Sequence, residues 1–158
     1  MDNRHSVATP AGRYEPQKRA RRRALQALYQ WHVAAHDPAE IIVQFLAEQD
    51  FAQADSALFQ DLVMGVARAQ PEIESRLQPH IDRPWKQLDL IEKIILSLGA
   101  YELLWHAEVP ARVILGEAID LARRFGAEQG HKFVNGVLDK AAREWRGAEL
   151  KQVGGVED

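Results

Sequence analysis

The stretch DLIEKIILSLGAYELLW, residues 89–105, belongs to the most hydrophobic helix that the sequence predicts, and it decides the fold. Asp89 and Glu92 stand three residues apart, which is the spacing of a capping box at a helix start. Apolar side chains then recur at intervals of three and four residues along one helical face. They are Ile91, Ile94, Ile95 and Leu98. We predict a central, buried helix that begins near Asp89.

Helical spacing of apolar residues continues on both sides of this stretch, and no convincing period-two strand pattern occurs. Pro71 is predicted to break or kink the third helix. The fold class is therefore all-α, a single compact bundle of about five to seven helices. The first predicted helix runs from about Gln17 to Ala35. The second begins after the N-cap Asp37, and the third begins at Asp55. After the central helix, one more runs from Pro110 to a stop at Gly126, and the last runs from about Gly130 to Trp145.

The composition is that of one ordinary globular domain. The chain has 158 residues, of which 46% are apolar and 27% charged, and it contains no cysteine. A disulfide framework and a thiolate metal site are thereby excluded, and a reducing cytoplasm fits this usage. The sequence shows neither a signal peptide nor a membrane span. We expect a cytoplasmic protein with flexible tails at residues 1–15 and 147–158 and a helical domain at residues 16–146.

The first predicted helix carries an unusual concentration of positive charge. Its sequence QKRARRRALQALYQW, residues 17–31, places five of the chain's 20 Lys and Arg residues at positions 18–23, although the net charge is -3. A helical wheel places one stripe opposite the inward face of Ala20, Ala24, Ala27, Trp31 and Ala34. The stripe consists of Lys18, Arg22, Leu25, Tyr29 and His36. Cations can bind the phosphates of single-stranded nucleic acid, and a flat ring can stack on its bases. The alternative is that Leu25 and Tyr29 contact another helix and that the arginines only keep the protein soluble.

A second group of candidate residues lies in FGAEQGHKFVNGVLDKAA, residues 125–142. Lys132 and Asn135 fall in the first turns of the last predicted helix, where free backbone N–H groups can bind an anion. Phe133 stands at the margin of the apolar face and could stack on a base. The alternative is an ordinary turn between helices, with Phe133 in the core and Asn135 in local hydrogen bonds.

Several of these segments together resemble the NusB family of bacterial transcription antitermination factors. The resemblance covers about residues 16–145 and rests mainly on the block at residues 125–142, at the right distance from an arginine-rich first helix. The shorter matches are ALQALYQW, FLAEQD at residues 45–50, LIEK and AYEL. The resemblance implies a compact all-helical fold without catalysis.

The resemblance also implies partners and a binding surface. Members of the family bind the boxA element of nascent ribosomal RNA leaders together with the ribosomal protein NusE, and they join RNA polymerase with other Nus factors to resist termination. Tyr29 and Glu92 correspond to candidates for the protein-partner surface. The RNA surface carried over from the family contains Lys18, Arg19, Arg21, Arg22, Gln26, Lys132, Phe133 and Asn135, with His80 at a position where relatives often have tyrosine.

Some residues depart from the family pattern. Gly130 stands where many relatives have serine, and glycine offers no side-chain cap. His80 replaces an aromatic ring that would stack more strongly, and Arg23 extends the basic block. These departures bear on RNA affinity, and the class of function stays the same. Whether the free protein is a monomer or a homodimer is left open.

Enzymatic and metal-binding functions find little support in the sequence. His32 and His36 have the i, i+4 spacing of a helical metal pair, but the glutamate of HExxH and a nearby third ligand are absent. No nucleophile elbow, phosphate loop or dinucleotide motif occurs. We predict no catalytic residue, no metal site and no cofactor. A protein-only interaction module, whose basic helix binds an acidic partner, remains the second class of function.

Overall fold

The computed structural model describes residues 10–150, with side chains at 14–48 and 51–150. The regular secondary structure of this part of the chain is entirely helical, without a strand, which confirms the all-α prediction. Three short 3-10 helices lie at Gln49–Gln53, Gln78–His80 and Trp85–Gln87. The α-helices are α1 (Pro10–Ala34), α2 (Pro38–Leu46), α3 (Ser56–Leu77), α4 (Leu90–Trp105), α5 (Ala111–Phe125) and α6 (Gly130–Trp145). The predicted tail segments 1–9 and 151–158 lie outside the described residues.

Aspartate side chains begin three of these helices as the sequence predicts. Asp37 accepts a hydrogen bond from the Ala39 N–H at 2.9 Å. Asp55 accepts one from the Leu58 N–H at 3.0 Å, and Asp89 accepts one from the Glu92 N–H at 3.2 Å. Each bond satisfies a backbone donor that has no partner inside its helix, so the starts of α2, α3 and α4 are confirmed.

The chain divides into two compact units, and the boundary between Met64 and Gly65 falls within α3. In the first unit α1 packs against α2. Its aromatic core is built around Phe59, whose ring centroid lies 5.7 Å from that of Phe45 and 4.6 Å from that of Phe51. The Pro16 carbonyl accepts a hydrogen bond of 3.0 Å from the Asp55 N–H, which ties α1 to the start of α3.

The second unit is built around α4, as the hydrophobic stretch predicts. Residues 94–103 of α4 are all buried, and α5 and α6 pack against this helix. Small residues allow the close approach: a Cβ atom on Gly99 would lie 2.7 Å from Leu138 Cδ1 of α6. A Cβ atom on Gly65 of α3 would overlap the Tyr101 ring. The inward faces of α5 and α6 are formed by buried residues, which are Ile114, Ala118, Leu121, Ala122, Val134, Val137, Leu138 and Ala141.

Two expectations about helix ends need correction. The break at Pro71 does not occur, because helix α3 continues to Leu77. Ile73 and Leu77 are fully buried, and their packing offsets the one hydrogen bond that proline removes. Helix α1 begins at Pro10, so residues 10–15 are helical although they were assigned to the N-terminal tail. A proline fits the first helical turn, where its missing N–H has no partner to lose.

The described part of the segment after α6 is helical. Residues 147–150 are helical, whereas the sequence assigned them to a tail. Glu149 accepts a hydrogen bond from the Ala111 N–H at 2.8 Å and another from Arg146 at 2.7 Å. The Arg146 guanidinium also donates to four backbone carbonyl groups, those of Glu102, Leu103, His106 and Val109. This pair joins the end of α4 to the start of α5. No helix within residues 10–150 has the length and apolarity to cross a membrane.

Candidate nucleic-acid interface

Helix α1 presents a basic and polar face to solvent. At about 100° per residue, five side chains that are exposed or half-buried fall within one arc of roughly 100°. Tyr29, the aromatic residue among them, is 43% exposed. The arc combines cations, an amide and an aromatic ring, which are the groups that bind phosphates and bases. The five residues are Lys18, Arg19, Arg22, Gln26 and Tyr29.

The inward face of α1 is wider than predicted. Leu25 is 2% exposed and belongs to the core together with Leu28, so its placement on the basic stripe is wrong. Conversely, Trp31 is half-buried and Ala34 is exposed, although both were predicted to face inward. The reason is that α1 is buried along two adjacent stripes in its middle and is exposed at its end, whereas the alanine spacing indicated one stripe along its whole length.

The five clustered cations of α1 occupy different environments. Arg21 is only 5% exposed, which argues against the surface role that the resemblance implies for it. Arg23 forms an ion pair with Glu48, and its guanidinium carbon lies 5.1 Å from the Phe45 ring centroid. Arg19 Nε lies 3.4 Å from a Glu15 carboxylate oxygen. The structure therefore leaves Lys18, Arg19 and Arg22 as the cations on the outward face.

Gln26 is held in place by the same arrangement. Its Oε1 atom accepts a hydrogen bond of 2.7 Å from Arg23 Nη1. Arg23 thus orients a candidate RNA-binding amide while packing against the aromatic core of the first unit. The sequence indicated only that Arg23 extends the basic block, because the pairing with Glu48 spans 25 residues and has no local signal.

The start of α6 is not the open anion site that the sequence suggested. The N–H groups of Gly130 and Lys132 donate to the carbonyls of Ala127 and Gln129 at 2.9 and 3.1 Å. A Cβ atom on Gly130 would lie 2.8 Å from Glu92 Oε2, so a carboxylate already stands at this position. Burial raises the pKa of Glu92, repulsion from Asp89 adds to the rise, and Arg83 opposes it. A phosphate would meet negative charge here, which favours the alternative of an ordinary turn between helices.

Phe133 lies beneath an arginine that the sequence reasoning missed. The Arg83 guanidinium carbon stands 4.8 Å from the Phe133 ring centroid. Arg83 Nε donates to Asp82 at 3.0 Å, and the Gln78 side chain donates to the Arg83 carbonyl at 2.9 Å. Lys132 and Asn135 are exposed on α6, and Phe133 is half-buried. The structure thus brings Glu92, Phe133 and Arg83 together in the second unit.

His80 lies apart from that group. Its Nε2 atom is 2.7 Å from Glu144 Oε1, and its ring meets Trp145 edge-on with centroids 6.0 Å apart. Glu144 is twelve residues beyond Lys132 on α6, a distance of about 18 Å along the helix axis. The His80 side chain is 13% exposed, so little of its ring is available for stacking. Among the described residues, no group of three or more His, Asp or Glu side chains could hold a metal ion.

Known proteins resemble this chain in both sequence and structure. The NusB family model matches residues 18–143. The "Transcription antitermination protein NusB" of Xanthomonas campestris pv. campestris is 50% identical over 131 residues, which are 83% of this chain and 82% of that protein. Two solved structures share the fold. T. maritima NusB has a TM-score of 0.72 and 28% identity, over 82% of this chain and 92% of its own.

The second solved structure is a complex of the antitermination factors NusB and NusE with double-stranded RNA. The matching chain has a TM-score of 0.70 and 26% identity, over 81% of this chain and 96% of its own. The family model spans most of the chain, and its members are antitermination factors, so the prediction that the protein is not an enzyme is confirmed. The chain belongs to the NusB family of transcription antitermination proteins.

Proposed function

We propose that this protein binds the single-stranded boxA element of nascent ribosomal RNA leaders together with NusE, and that it helps RNA polymerase to pass terminators. The observation that carries the proposal is the outward face of α1, where Lys18, Arg19 and Arg22 stand beside Gln26 and Tyr29. A NusB relative has been crystallised with NusE and double-stranded RNA, which supports NusE and RNA as the classes of partner. Such a protein acts in the cytoplasm, where bacterial transcripts are made.

Each unit contributes its own surface to the proposed function. In the first unit, Lys18, Arg19 and Arg22 attract phosphates, and Gln26 offers an amide held by Arg23. In the second unit, the exposed Lys132 and Asn135 of α6 contact RNA. Tyr29 is 43% exposed and borders the cations, so it is our candidate for the NusE surface or its edge. Glu92 is a weaker candidate, since its carboxylate lies against Gly130.

Assembly with RNA polymerase and the other Nus factors completes the proposed role. A homodimer that covers the α1 face would hold the RNA surface in reserve until NusE and RNA are present. We expect the helical domain to comprise about residues 10–150, since both predicted tails overlap helical segments. The remaining alternative is a module that binds only an acidic protein through the same basic face.

Fluorescence anisotropy of labelled RNA separates these possibilities. A boxA-like RNA and its scrambled counterpart are titrated with the protein, with and without NusE, over a series of salt concentrations. We expect preference for the boxA-like RNA that strengthens with NusE. Arg123→Ala is titrated alongside the wild type as the control variant, because it removes an exposed cation from α5 instead of α1. Equal, weak binding to both RNAs, unaffected by NusE, would favour the protein-only module.

A further inference from the structure

We propose that Arg83, supported by Phe133, is the platform on which one unpaired RNA base stacks. This inference rests on the proposed function, and it assigns base stacking to a residue other than Phe133. The Arg83 guanidinium covers the Phe133 ring at 4.8 Å, so a base cannot reach that face of the ring directly. The Arg83 side chain is 46% exposed, so it remains accessible to a base. Guanidinium planes are common stacking surfaces for single-stranded bases.

Two contacts restrict the orientation of the guanidinium. The Asp82 carboxylate lies 3.0 Å from Arg83 Nε, and the Phe133 ring lies against the Arg83 guanidinium. The loop itself is fastened by Gln78, whose side chain donates to the Arg83 carbonyl at 2.9 Å and accepts from the Trp85 N–H at 3.0 Å. A side chain that is ordered before binding loses less conformational entropy when a base stacks on it.

The local charges favour a base over a phosphate at this position. The Asp82 carboxylate is paired with Arg83, which lowers the pKa of that carboxyl. The Glu92 carboxylate is close enough for Arg83 to act on its pKa as well. Two carboxylates therefore offset the single charge of Arg83, although Lys140 adds a weaker positive contribution near Asp82. A phosphate gains little in such a setting, whereas a neutral base gains stacking without opposing either carboxylate.

Three variants test the platform. Arg83→Ala removes the stacking surface, Arg83→Lys keeps the charge without the plane, and Arg143→Ala is the matched control. Arg143 lies on α6 and is likewise held by a carboxylate, with Nε 3.0 Å from Asp139. Binding of a boxA-like RNA is measured by anisotropy over a salt series. A second series carries 2-aminopurine at each position of that RNA in turn, because stacking quenches its fluorescence.

We expect Arg83→Ala and Arg83→Lys each to weaken binding by about 5- to 150-fold, the range of one base–platform stack. The salt slope should stay unchanged, and quenching at one RNA position should be lost in both variants. The control should behave as the wild type does. Thermal unfolding followed by circular dichroism shows whether each variant is folded. If Arg83→Ala does not fold, the binding and quenching of Arg83→Lys test the stacking platform.

Two results would overturn the inference alone. One is selective wild-type binding that Arg83→Ala leaves intact. The other is a salt slope that falls by about 0.7 in Arg83→Ala and recovers in Arg83→Lys, which would make Arg83 a phosphate contact. In both cases the proposed function stands. A wild-type protein that does not distinguish the boxA-like RNA from its scramble would overturn the proposed function and this inference together.

Discussion

At the scale of single residues, neighbouring arginines of α1 stand in opposite environments. Arg21 is 5% exposed, whereas Arg22 lies on the outward face, a turn of about 100° away. Arg23 packs over aromatic rings and pairs with Glu48. Arg21, Arg22 and Arg23 are consecutive, but we expect them to have different roles. A buried guanidinium stabilises the fold, whereas an exposed one can contact a ligand.

Substitution of each arginine in turn tests this division. Arg22→Ala should weaken binding of a boxA-like RNA and reduce the salt slope by about 0.7, since one phosphate contact is lost, with unfolding unchanged. Arg21→Ala should instead lower the free energy of unfolding by about 1 to 3 kcal/mol, because the buried groups around it lose their partner. Urea denaturation and anisotropy give the two quantities. Loss of RNA affinity in a fully stable Arg21→Ala variant would show that Arg21 reaches the RNA.

The Glu149 carboxylate predicts a pH dependence of stability. The hydrogen bond from the Ala111 N–H, with Arg146 adding to it, lowers the pKa of Glu149. A carboxyl whose pKa is lower when folded stabilises the protein above its unfolded pKa, and this contribution disappears as the pH falls through the folded value. Wild type should therefore exceed Glu149→Gln in unfolding free energy at neutral pH, and the difference should vanish in acid. Denaturation of both proteins between pH 7 and about pH 2 measures it. A constant difference would contradict the assignment.

Sequence reasoning could identify the candidate residues of α1 but not all of their environments. The helical wheel grouped Lys18, Arg22 and Tyr29 correctly, because their angles follow from helix geometry alone. It misplaced Leu25, because the width of the buried arc depends on what packs against the helix. Arg83 was missed for a related reason. Its partner Phe133 is 50 residues away, and no local pattern encodes a contact of that range.

At the scale of helices, the aspartate start signals were reliable, whereas the start of α1 and the break at Pro71 were not predicted correctly. An aspartate at the N-cap acts on backbone donors two or three residues away, so its effect can be seen in the sequence. The continuation of α3 past Pro71 depends instead on the burial of Ile73 and Leu77, which is a tertiary effect. The helical turn after α6 likewise depends on Arg146 and Glu149 contacts that span more than 35 residues.

Glycines in α3 and α6 give a prediction at the scale of helix packing. A Cβ atom on Gly65 would overlap the Tyr101 ring, whereas one on Gly136 would meet nothing within 4 Å. Gly65→Ala should lower the free energy of unfolding by about 1 to 3 kcal/mol through overpacking. Gly136→Ala should raise it by up to about 1 kcal/mol, because alanine is the better helix former. Chemical denaturation of the two variants measures both effects. A stabilised Gly65→Ala variant would mean that Tyr101 can move aside at little cost.

At the scale of the whole molecule, the negative net charge of the protein repels RNA, whereas the cations of its proposed binding surfaces attract the phosphates of RNA. The net charge is -3, so long-range attraction to a polyanion is absent. At physiological salt, charges more than about 8 Å apart on the surface are largely screened from one another. Binding must then depend on cations that touch phosphates. The net charge argues against a general coat-like binder of nucleic acid, and the family resemblance implies the kind of RNA.

Two triple variants of equal charge separate local contact from net charge. Replacement of Lys18, Arg19 and Arg22 by Ala changes the net charge from -3 to -6, as does replacement of Arg112, Arg123 and Arg124, which are exposed on α5. The α1 variant should flatten the salt slope of boxA-like RNA binding by about 2, three contacts at about 0.7 each. The α5 variant should keep the wild-type slope. Anisotropy over a salt series, with circular dichroism as a check of folding, gives both slopes. An equal change in the two variants would show that net charge, rather than the outward face of α1, governs the interaction with RNA.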